Sequence, residues 1–311
     1  MRYAGCSLLT LNSLGSQQAR QLFLSREMDL SYLPCHIAKV WNSSTSRDLF
    51  ELNRADIEEE FKRAGLILFR GFEVTPQSFE RFASQFSSQI IISPGEAKSG
   101  TAVGSGVQLI ARDGAEQDLH QENGALASRP ELLWFYCATP ADGEGETTYA
   151  DGIAVWQALS ENTRKLFLSK RVKYSDSLPR EAWLTPDGFL DARMHVGQLR
   201  LKGSIVRFDD QDTLIREYIA PAATQPKWSE QTAFVNSLCG PYDHVVTLED
   251  GSPIPSDVIE EIHAVHTALI RAVTWQSGDI LLIDNTRYVH GRRAFQDVKR
   301  THYTFMSLAN F

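Results

Sequence analysis

The sequence contains few cysteines and no long apolar run, and both absences restrict the class of protein. The cysteines form no C-x-x-C pair and no disulfide pattern, which points to a reducing compartment. No run approaches membrane-spanning length, and Ser7–Leu11 is too short and too polar for a signal-peptide core. A net charge of −8 leaves no basic footprint for nucleic acid. We therefore expect a cytoplasmic protein without nucleic-acid or membrane partners. The four cysteines are Cys6, Cys35, Cys137 and Cys239.

The composition is that of an ordinary globular protein, with 42% hydrophobic and 23% charged residues in a chain of 311. We predict a single domain over residues 1–311. Residues 1–50 lack strong periodicity and are assigned as an N-terminal cap. The mixed, polar and proline-containing stretch at about 160–232 is predicted to be an insertion, with a lid as its candidate role.

Helix signals recur between apolar strands. Asn53–Arg63 has helical spacing with Gly65 as its stop, Thr75 precedes a helical Pro, and Asp151 can cap a third helix. Ser256–Ala272 is predicted to be an amphipathic helix. Its two histidines, three residues apart, point away from the apolar face, so we expect both to be exposed rather than metal ligands. These histidines are His263 and His266.

Short apolar runs predict buried strands, including one that contains Cys137 as a small buried side chain. A Gly- and Ser-rich loop is predicted at 93–106. The predicted strands are Leu66–Phe69, Leu132–Cys137, Thr232–Asn236, Ile280–Ile283 and Tyr303–Met306.

An H-x-E motif at His120 and Glu122 carries the first chemical signal. On an extended strand, residues two apart point to the same face, so this imidazole and carboxylate can bind one metal ion together. A surface ion pair is the structural alternative for such a motif taken alone. His290, after a buried strand, supplies the third ligand of a 2-His-1-carboxylate triad. That triad is typical of non-haem Fe(II) oxygenases and leaves three coordination positions open.

A 2-oxo acid can occupy two of the open positions and leave the third for dioxygen. Its distal carboxylate then needs a fixed cation, and an arginine with a hydroxyl beside it meets that need. Arg300 is the candidate arginine and Thr147 the candidate hydroxyl. Arg292 and Arg293 lie nearer to His290 and are the alternatives, although we expect them to flank that histidine and leave the site.

At this point the sequence resembles a known family, the taurine dioxygenase-like Fe(II)/2-oxoglutarate oxygenases, over roughly residues 50–311. The variant with glutamate in the motif is similar to clavaminate synthase-like enzymes and to the aspartyl hydroxylases of syringomycin-type pathways. Glu144 stands where the last group carries the first glycine of its G-G-x-T motif. The marks are Leu68–Phe72, His120–Glu122, Gly145–Thr147, Asp250–Pro255, Gly278–Asn285, His290–Arg292 and Arg293–Phe295.

The resemblance implies a mainly β fold with flanking helices, built on a double-stranded β-helix (jelly roll) with a long insertion. It implies Fe(II) at His120, Glu122 and His290, and 2-oxoglutarate as cosubstrate, with O2, at Thr147 and Arg300. Relatives that halogenate carry a small apolar residue in place of the carboxylate. Glu122 therefore predicts hydroxylation, with desaturation or cyclisation as related outcomes.

The substrate expected from the resemblance is a small molecule of natural-product biosynthesis, an amino acid either free or bound to a peptidyl carrier protein. Asn123 and Asn236 could contact a polar substrate, and ordinary turn or core hydrogen bonds are the alternative for both. Arg112 could pair with a substrate carboxylate or simply lie at the surface. Two other functions stay open: a metal-dependent cupin-type enzyme that uses no 2-oxoglutarate, and a binding protein on the same scaffold.

Overall fold

The structure is a computed structural model that describes residues 39–42, 47–92, 106–110, 113–179, 203–240 and 245–311. Within these ranges the chain forms seventeen strands and five α-helices. The strands are β1 (Lys39–Asn42), β2 (Leu66–Arg70), β3 (Ser87–Ile90), β4 (Gln108–Leu109), β5 (Gln117–His120), β6 (Leu132–Thr139), β7 (Thr147–Asp151), β8 (Val172–Leu178), β9 (Ile205–Phe208), β10 (Leu214–Ala220), β11 (Ala223–Thr224), β12 (Ala233–Phe234), β13 (Val245–Leu248), β14 (Arg271–Val273), β15 (Ile280–Asp284), β16 (Tyr288–Arg292) and β17 (Thr301–Ala309). The helices are α1 (Arg54–Ala64), α2 (Pro76–Ser84), α3 (Gly152–Ala158), α4 (Glu161–Ser169) and α5 (Ser256–Leu269).

Two facing sheets form the core of the fold. The major sheet has the order β1-β2-β15-β6-β17-β3, with β4 also paired to β17, and the minor sheet has the order β14-β7-β16-β5. Buried side chains from both sheets meet between them, such as Leu68, Phe135 and Leu281 from the major sheet and Tyr149 and Tyr288 from the minor one. The predicted jelly roll is thus confirmed.

The major sheet is buried on both faces, which explains why its strands are continuous apolar runs. In β2, Leu66 and Leu68 point between the sheets, whereas Ile67 and Phe69 pack with the side chains of α1 and α2. The same holds for Leu132–Cys137, in which all six residues are buried, as predicted. Helices on the outer face therefore hold rigid the sheet that forms one wall of the interior.

The outer face of the minor sheet is covered by α3, α4 and α5. Val289 of β16 packs there with Ile153, Phe167 and Ile262 in a second apolar cluster. Strands β13, β8, β10 and β9 form a further antiparallel sheet beside this layer. Of the five helices described, none has the length and apolar character that a bilayer-spanning helix needs.

The predicted insertion at 160–232 contributes α4, β8, β9, β10 and β11 to this outer layer. Residues 180–202 lie outside the described ranges, so the role as a lid stays a prediction. Most of the predicted cap, 1–38, and most of the predicted loop, 93–105, also lie outside them.

The predicted helix boundaries are largely confirmed. Each of the three predicted N-cap side chains accepts a hydrogen bond from a backbone N–H in the first turn of its helix. The acceptors are Asn53 for α1 (2.8 Å), Thr75 for α2 (3.1 Å) and Asp151 for α3 (2.9 Å). Gly65 ends α1 in the left-handed conformation, with φ +71°.

Two predictions about α5 were wrong. The helix ends at Leu269 rather than Ala272, because Arg271–Val273 pairs with β7 as β14. His266 is buried rather than exposed, and burial lowers the pKa of its imidazole to about 4. His263 is half-buried, with Nε2 3.9 Å from the Cys239 sulfur. Because α5 contacts both α3 and β7, more of its surface is buried than the face formed by its apolar residues, and His266 lies in this additional buried part.

The Gly65 position provides a test of this packing. A Cβ at Gly65 would lie 2.7 Å from Tyr288 Cε2, whereas a Cβ at Gly143, with nearly the same φ of +73°, would meet nothing within 4 Å. We expect Gly143→Ala to cost about 1 kcal/mol of unfolding free energy from backbone strain. Gly65→Ala should cost at least about 1 kcal/mol more, because of overpacking. Urea unfolding of both variants measures the difference, and equal losses would contradict it.

Candidate metal centre

His290 and His120 lie opposite each other on two neighbouring strands of the minor sheet. The antiparallel register pairs His290 of β16 with His120 of β5, and the two imidazole centroids are 4.4 Å apart. Both side chains are buried and point between the sheets, where Phe135 of the major sheet lies 5.5 Å from the His290 ring. The fold thus brings together two imidazoles that are 170 positions apart in the sequence.

The glycine of the H-G-R motif has a steric reason. The β16–β5 register shifts between His290 and Arg292. A Cβ at Gly291 would lie 2.4 Å from the Gln117 carbonyl oxygen and 2.9 Å from Thr148 Oγ1. Only glycine lets the strands approach this closely at the irregularity that follows the second histidine.

Glu122 completes the group from the turn that follows β5, and not from an extended strand as predicted, because the strand ends at His120. Its Oε2 lies 3.5 Å from His290 Nε2 and 4.0 Å from His120 Nε2. One ligand atom from each of the three residues falls within 4.8 Å of the others, and one metal ion can contact all three. The Glu122 side chain is 19% exposed, so the group opens on one side.

The protonation states suit metal binding. Burial lowers the pKa of His120 to about 4, helped by the neighbouring His290. Burial acts to raise the pKa of Glu122, but the hydrogen bond and charge of His290 outweigh it and hold that pKa below its usual value. His120 Nδ1 lies 2.8 Å from the Asp118 carbonyl oxygen, to which it donates when Nε2 is the ligand atom. A neutral imidazole and an ionised carboxylate are the forms that bind a metal ion.

Asn285 fixes the backbone that carries Glu122. Its Oδ1 accepts from the Glu122 N–H (2.9 Å), and its Nδ2 donates to the carbonyls of Glu122 (3.1 Å) and Pro130 (2.9 Å). Gln121 Nε2 donates to the Asn285 carbonyl at 2.8 Å. Asn285 is fully buried at the end of β15, so this turn is tied to the major sheet. The sequence motif contained Asn285 but gave it no role.

The two candidate substrate residues lie close to this turn. Asn123 has φ +55° and donates through its amide to the Ser128 carbonyl at 3.1 Å. The Asn236 amide donates to the Ala222 carbonyl at 3.0 Å, and its Oδ1 accepts from the Leu238 N–H at 3.0 Å. These are the backbone hydrogen bonds of the alternative interpretation, and contact with substrate stays a prediction for both.

Thr147 begins β7 of the minor sheet, Arg300 immediately precedes β17 of the major sheet, and two aromatic rings connect them. Trp275 donates from Nε1 to Thr147 Oγ1 at 3.2 Å, and its ring packs edge-on against His302 at 4.9 Å. His302 Nδ1 lies 3.1 Å from Arg300 Nη2 and accepts its hydrogen. Arg300 also packs over the Phe295 ring at 4.7 Å. The structure therefore brings both candidates into one buried region, in which Trp275 and His302 take part although no sequence motif pointed to them.

Arg300 is a buried cation without a carboxylate partner in the part of the chain that is described. It is 3% exposed, donates to the Gly145 carbonyl at 3.3 Å, and leaves Nε unpaired. Burial and the nearby Arg292 lower the pKa of its guanidinium to about 10. A Cβ at Gly145, where φ is +71°, would lie 3.1 Å from Arg300 Nε. A buried charge of this kind is costly unless a ligand carries the counter-charge.

The alternative arginines are paired elsewhere. Arg292 forms an ion pair with Asp113 and donates to the Ala115 carbonyl at 2.8 Å. Arg293 pairs with Glu146 at 3.1 Å, with about half of its side chain exposed. Arg112 lies outside the described residues.

The structure is a jelly roll in which two histidines and a carboxylate can bind one metal ion and leave coordination positions free. This combination is typical of the non-haem Fe(II) oxygenases. Residues 35–306 match the family described as "Taurine catabolism dioxygenase TauD, TfdA family". The chain belongs to this family and is an Fe(II)- and 2-oxoglutarate-dependent dioxygenase.

Individual relatives agree with the family. A clavaminate synthase-like protein of Arabidopsis thaliana is 25% identical over 266 residues, covering 76% of this chain and 80% of its own length. The dapdiamide synthesis protein DdaC of Enterobacter agglomerans is 23% identical over 292 residues, covering 84% and 88%. PvcB, described as an Fe, α-ketoglutarate dependent oxygenase from an isonitrile synthetic pathway, has a similar fold. Its TM-score is 0.53 at 18% identity, covering 83% of this chain and 80% of that one.

The Asn285 clamp can be tested by metal binding. Asn285→Asp keeps the acceptor for the Glu122 N–H but removes the two hydrogen bonds donated to carbonyls. We expect about a 10- to 100-fold weaker affinity for Fe(II), the usual effect of losing a group that orients a ligand. Anaerobic titration calorimetry measures this, with circular dichroism as the check on folding. Asn310→Asp makes the same change at an exposed residue and should bind as the wild type does.

Proposed function

We propose that His120, Glu122 and His290 bind the Fe(II) of this dioxygenase, and that Thr147 and Arg300 bind the distal carboxylate of 2-oxoglutarate. The enzyme then oxidises an unactivated C–H bond of an amino-acid-like or carrier-bound substrate in secondary metabolism. Hydroxylation is the proposed outcome, with desaturation or cyclisation as variants.

One observation carries the proposal. Three metal-ligand atoms lie within 4.8 Å of one another, and the same interior holds a buried arginine whose Nε has no partner among the described residues. The first feature fits Fe(II), and the second fits a dicarboxylate that enters with its own negative charge. A cupin-type enzyme without 2-oxoglutarate, or a simple binding protein, has no use for the second feature.

Fe(II) bound at this point supplies dioxygen activation coupled to oxidative decarboxylation of 2-oxoglutarate to succinate. The protein's own contribution is positional. The β16–β5 register sets the angle between the two imidazoles, and Asn285 holds the backbone of Glu122. Arg300 donates to the Gly145 carbonyl, and its planar guanidinium can orient a carboxylate through two parallel hydrogen bonds. Phe135 and other apolar side chains between the sheets form the packed part of the inner wall beside the candidate metal centre.

Glu122 supports hydroxylation over halogenation. A halide needs a free metal position, and the carboxylate of Glu122 lies within 4.0 Å of Nε2 of both histidines, where it would itself take one of the positions of a bound metal ion. A product whose formation depends on chloride or bromide would overturn this part of the proposal.

The substrate class is supported by the relatives. One is named for dapdiamide synthesis and another belongs to an isonitrile synthetic pathway. The resemblance to aspartyl hydroxylases points in the same direction, to an amino acid, free or on a peptidyl carrier. A cytoplasmic location is proposed as well, and is supported by Cys137 and Cys239, both of which are free thiols.

The cosubstrate assignment has a direct test. Anaerobic Fe(II) plus 2-oxoglutarate should produce a weak visible metal-to-ligand charge-transfer band, and a panel of free and carrier-bound amino acids should include one that perturbs it. Under air that substrate should yield succinate in step with product. A metal-loaded protein that produces neither band nor succinate would favour the cupin-type or binding alternatives.

Arg300→Lys tests the cation. A lysine keeps the charge but loses the planar fork, so we expect the 2-oxoglutarate concentration that half-develops the band to rise about 10- to 100-fold. Arg293→Lys is the matched control, because Arg293 pairs with Glu146 at the surface. Similar half-saturation in Arg300→Lys and the wild type would remove Arg300 from the site.

A further inference from the structure

Four neighbouring side chains on the inner wall carry buried polar atoms that lack hydrogen-bond partners in the described structure. Each of the four residues is at most 7% exposed. Buried polar groups are ordinarily paired, so a cluster of exceptions points to a ligand that completes them. The atoms are both amide atoms of Gln108, the Thr304 hydroxyl, His302 Nε2 and Arg300 Nε.

The strand register places these groups side by side. Gln108 of β4 is directly opposite Thr304 of β17, so both side chains lie on the same face of the major sheet. That face is the inner one, since the neighbours Val107 and Phe305 belong to the outer, helix-covered cluster. Across β17, Thr304 is opposite Phe135, whose ring lies 5.5 Å from that of His290. Gln108 and Thr304 are therefore at the level of the candidate metal centre.

His302 precedes Thr304 by two residues on β17, and Arg300 lies just before that strand. Arg300 donates to His302 Nδ1, so the neutral imidazole carries its hydrogen on Nε2. Thr304 follows His302 by two strand residues, a distance of about 6–7 Å. The five-carbon chain of 2-oxoglutarate spans roughly 5 Å between its terminal carbons, from four bonds of about 1.5 Å. A cosubstrate held by Arg300 at one end can therefore reach Gln108 and Thr304 with the other.

We infer that the Gln108 amide and the Thr304 hydroxyl bind the end of 2-oxoglutarate that carries the 2-oxo group and the 1-carboxylate. This inference rests on the proposed function and names two residues for the half of the cosubstrate that Arg300 and Thr147 do not reach. Both side chains are neutral and can donate hydrogen bonds, so they orient the oxygens there without adding a second charge.

A ligand-binding role and a structural role for Gln108 and Thr304 predict opposite changes in the melting temperature of the apoprotein. Gln108→Met and Thr304→Val keep the volume and remove groups that have no partner among the described residues. Removing an unsatisfied buried polar group does not destabilise a fold, so the melting temperature of the apoprotein should stay equal or rise. A structural hydrogen bond would show the opposite. Thr247→Val on β13 is the control, because its hydroxyl is also buried and lacks a partner among the residues described, but lies in another sheet.

The binding experiment uses two ligands on the anaerobic Fe(II) protein, 2-oxoglutarate and 2-oxopentanoate, which lacks the distal carboxylate. Gln108→Met and Thr304→Val should each weaken both ligands by the same factor, about tenfold or more for a lost hydrogen bond to a charged group. Arg300→Lys should weaken 2-oxoglutarate alone, and Thr247→Val neither.

Three results would overturn the inference while leaving the proposed function intact: unchanged affinity for both ligands, a loss confined to 2-oxoglutarate, or a fall in melting temperature without a loss of binding. The proposed function fails separately, if the wild-type protein itself shows no charge-transfer band with 2-oxoglutarate. In that case the inference fails with it.

Discussion

The candidate metal centre depends on one strand pairing, β16 against β5, which places His290 opposite His120. Side chains alternate along a strand, so a slip of one residue would turn the imidazole to the outer face. The apolar pattern of β16 prevents the slip, because Tyr288 packs between the sheets and Val289 packs against the outer helices. The hydrophobic core thus determines the geometry of the ligands. Gly291 then allows the register shift after which the pairing continues at Arg292 and Gln117.

The interior of the jelly roll combines this rigid apolar packing with buried polar groups that have no hydrogen-bond partner in the described part of the chain. Arg300 is buried without a carboxylate in the described ranges, and Gln108 and Thr304 lack partners there. Such groups reduce the stability of the ligand-free fold, and their retention is understandable when a charged ligand completes them. Helices α1 and α2 compensate from outside, where they bury the major sheet on its second face. Stability and binding are therefore supplied by opposite faces of the same sheet.

The sequence predicted what depends on local pattern and could not predict what depends on tertiary contacts. Helix caps such as Asn53 and Asp151 are local. The extended-strand geometry predicted for His120 and Glu122 was wrong, because β5 ends at His120 and Glu122 lies in the turn that Asn285 fixes. The burial of His266 is not local, since α5 packs against two elements, and the end of α5 is decided by the pairing of β14 with β7. The Gln108–Thr304 pair was invisible for the same reason, because its two members are 196 positions apart and neither belongs to a motif.

The glutamate in the triad explains why Asn285 is so heavily engaged. Glutamate has one more rotatable bond than aspartate, so a carboxylate on a mobile turn would lose more conformational freedom when it binds metal. Asn285 bonds both the N–H and the carbonyl of Glu122, which leaves the side-chain torsions as the remaining freedom. The Nε2 atom of His290, 3.5 Å from the carboxylate, restricts those as well. Glu122 is thus restrained both at its backbone and at its carboxylate. Its conformational entropy is therefore lost mainly when the protein folds, and less is lost when the metal ion binds.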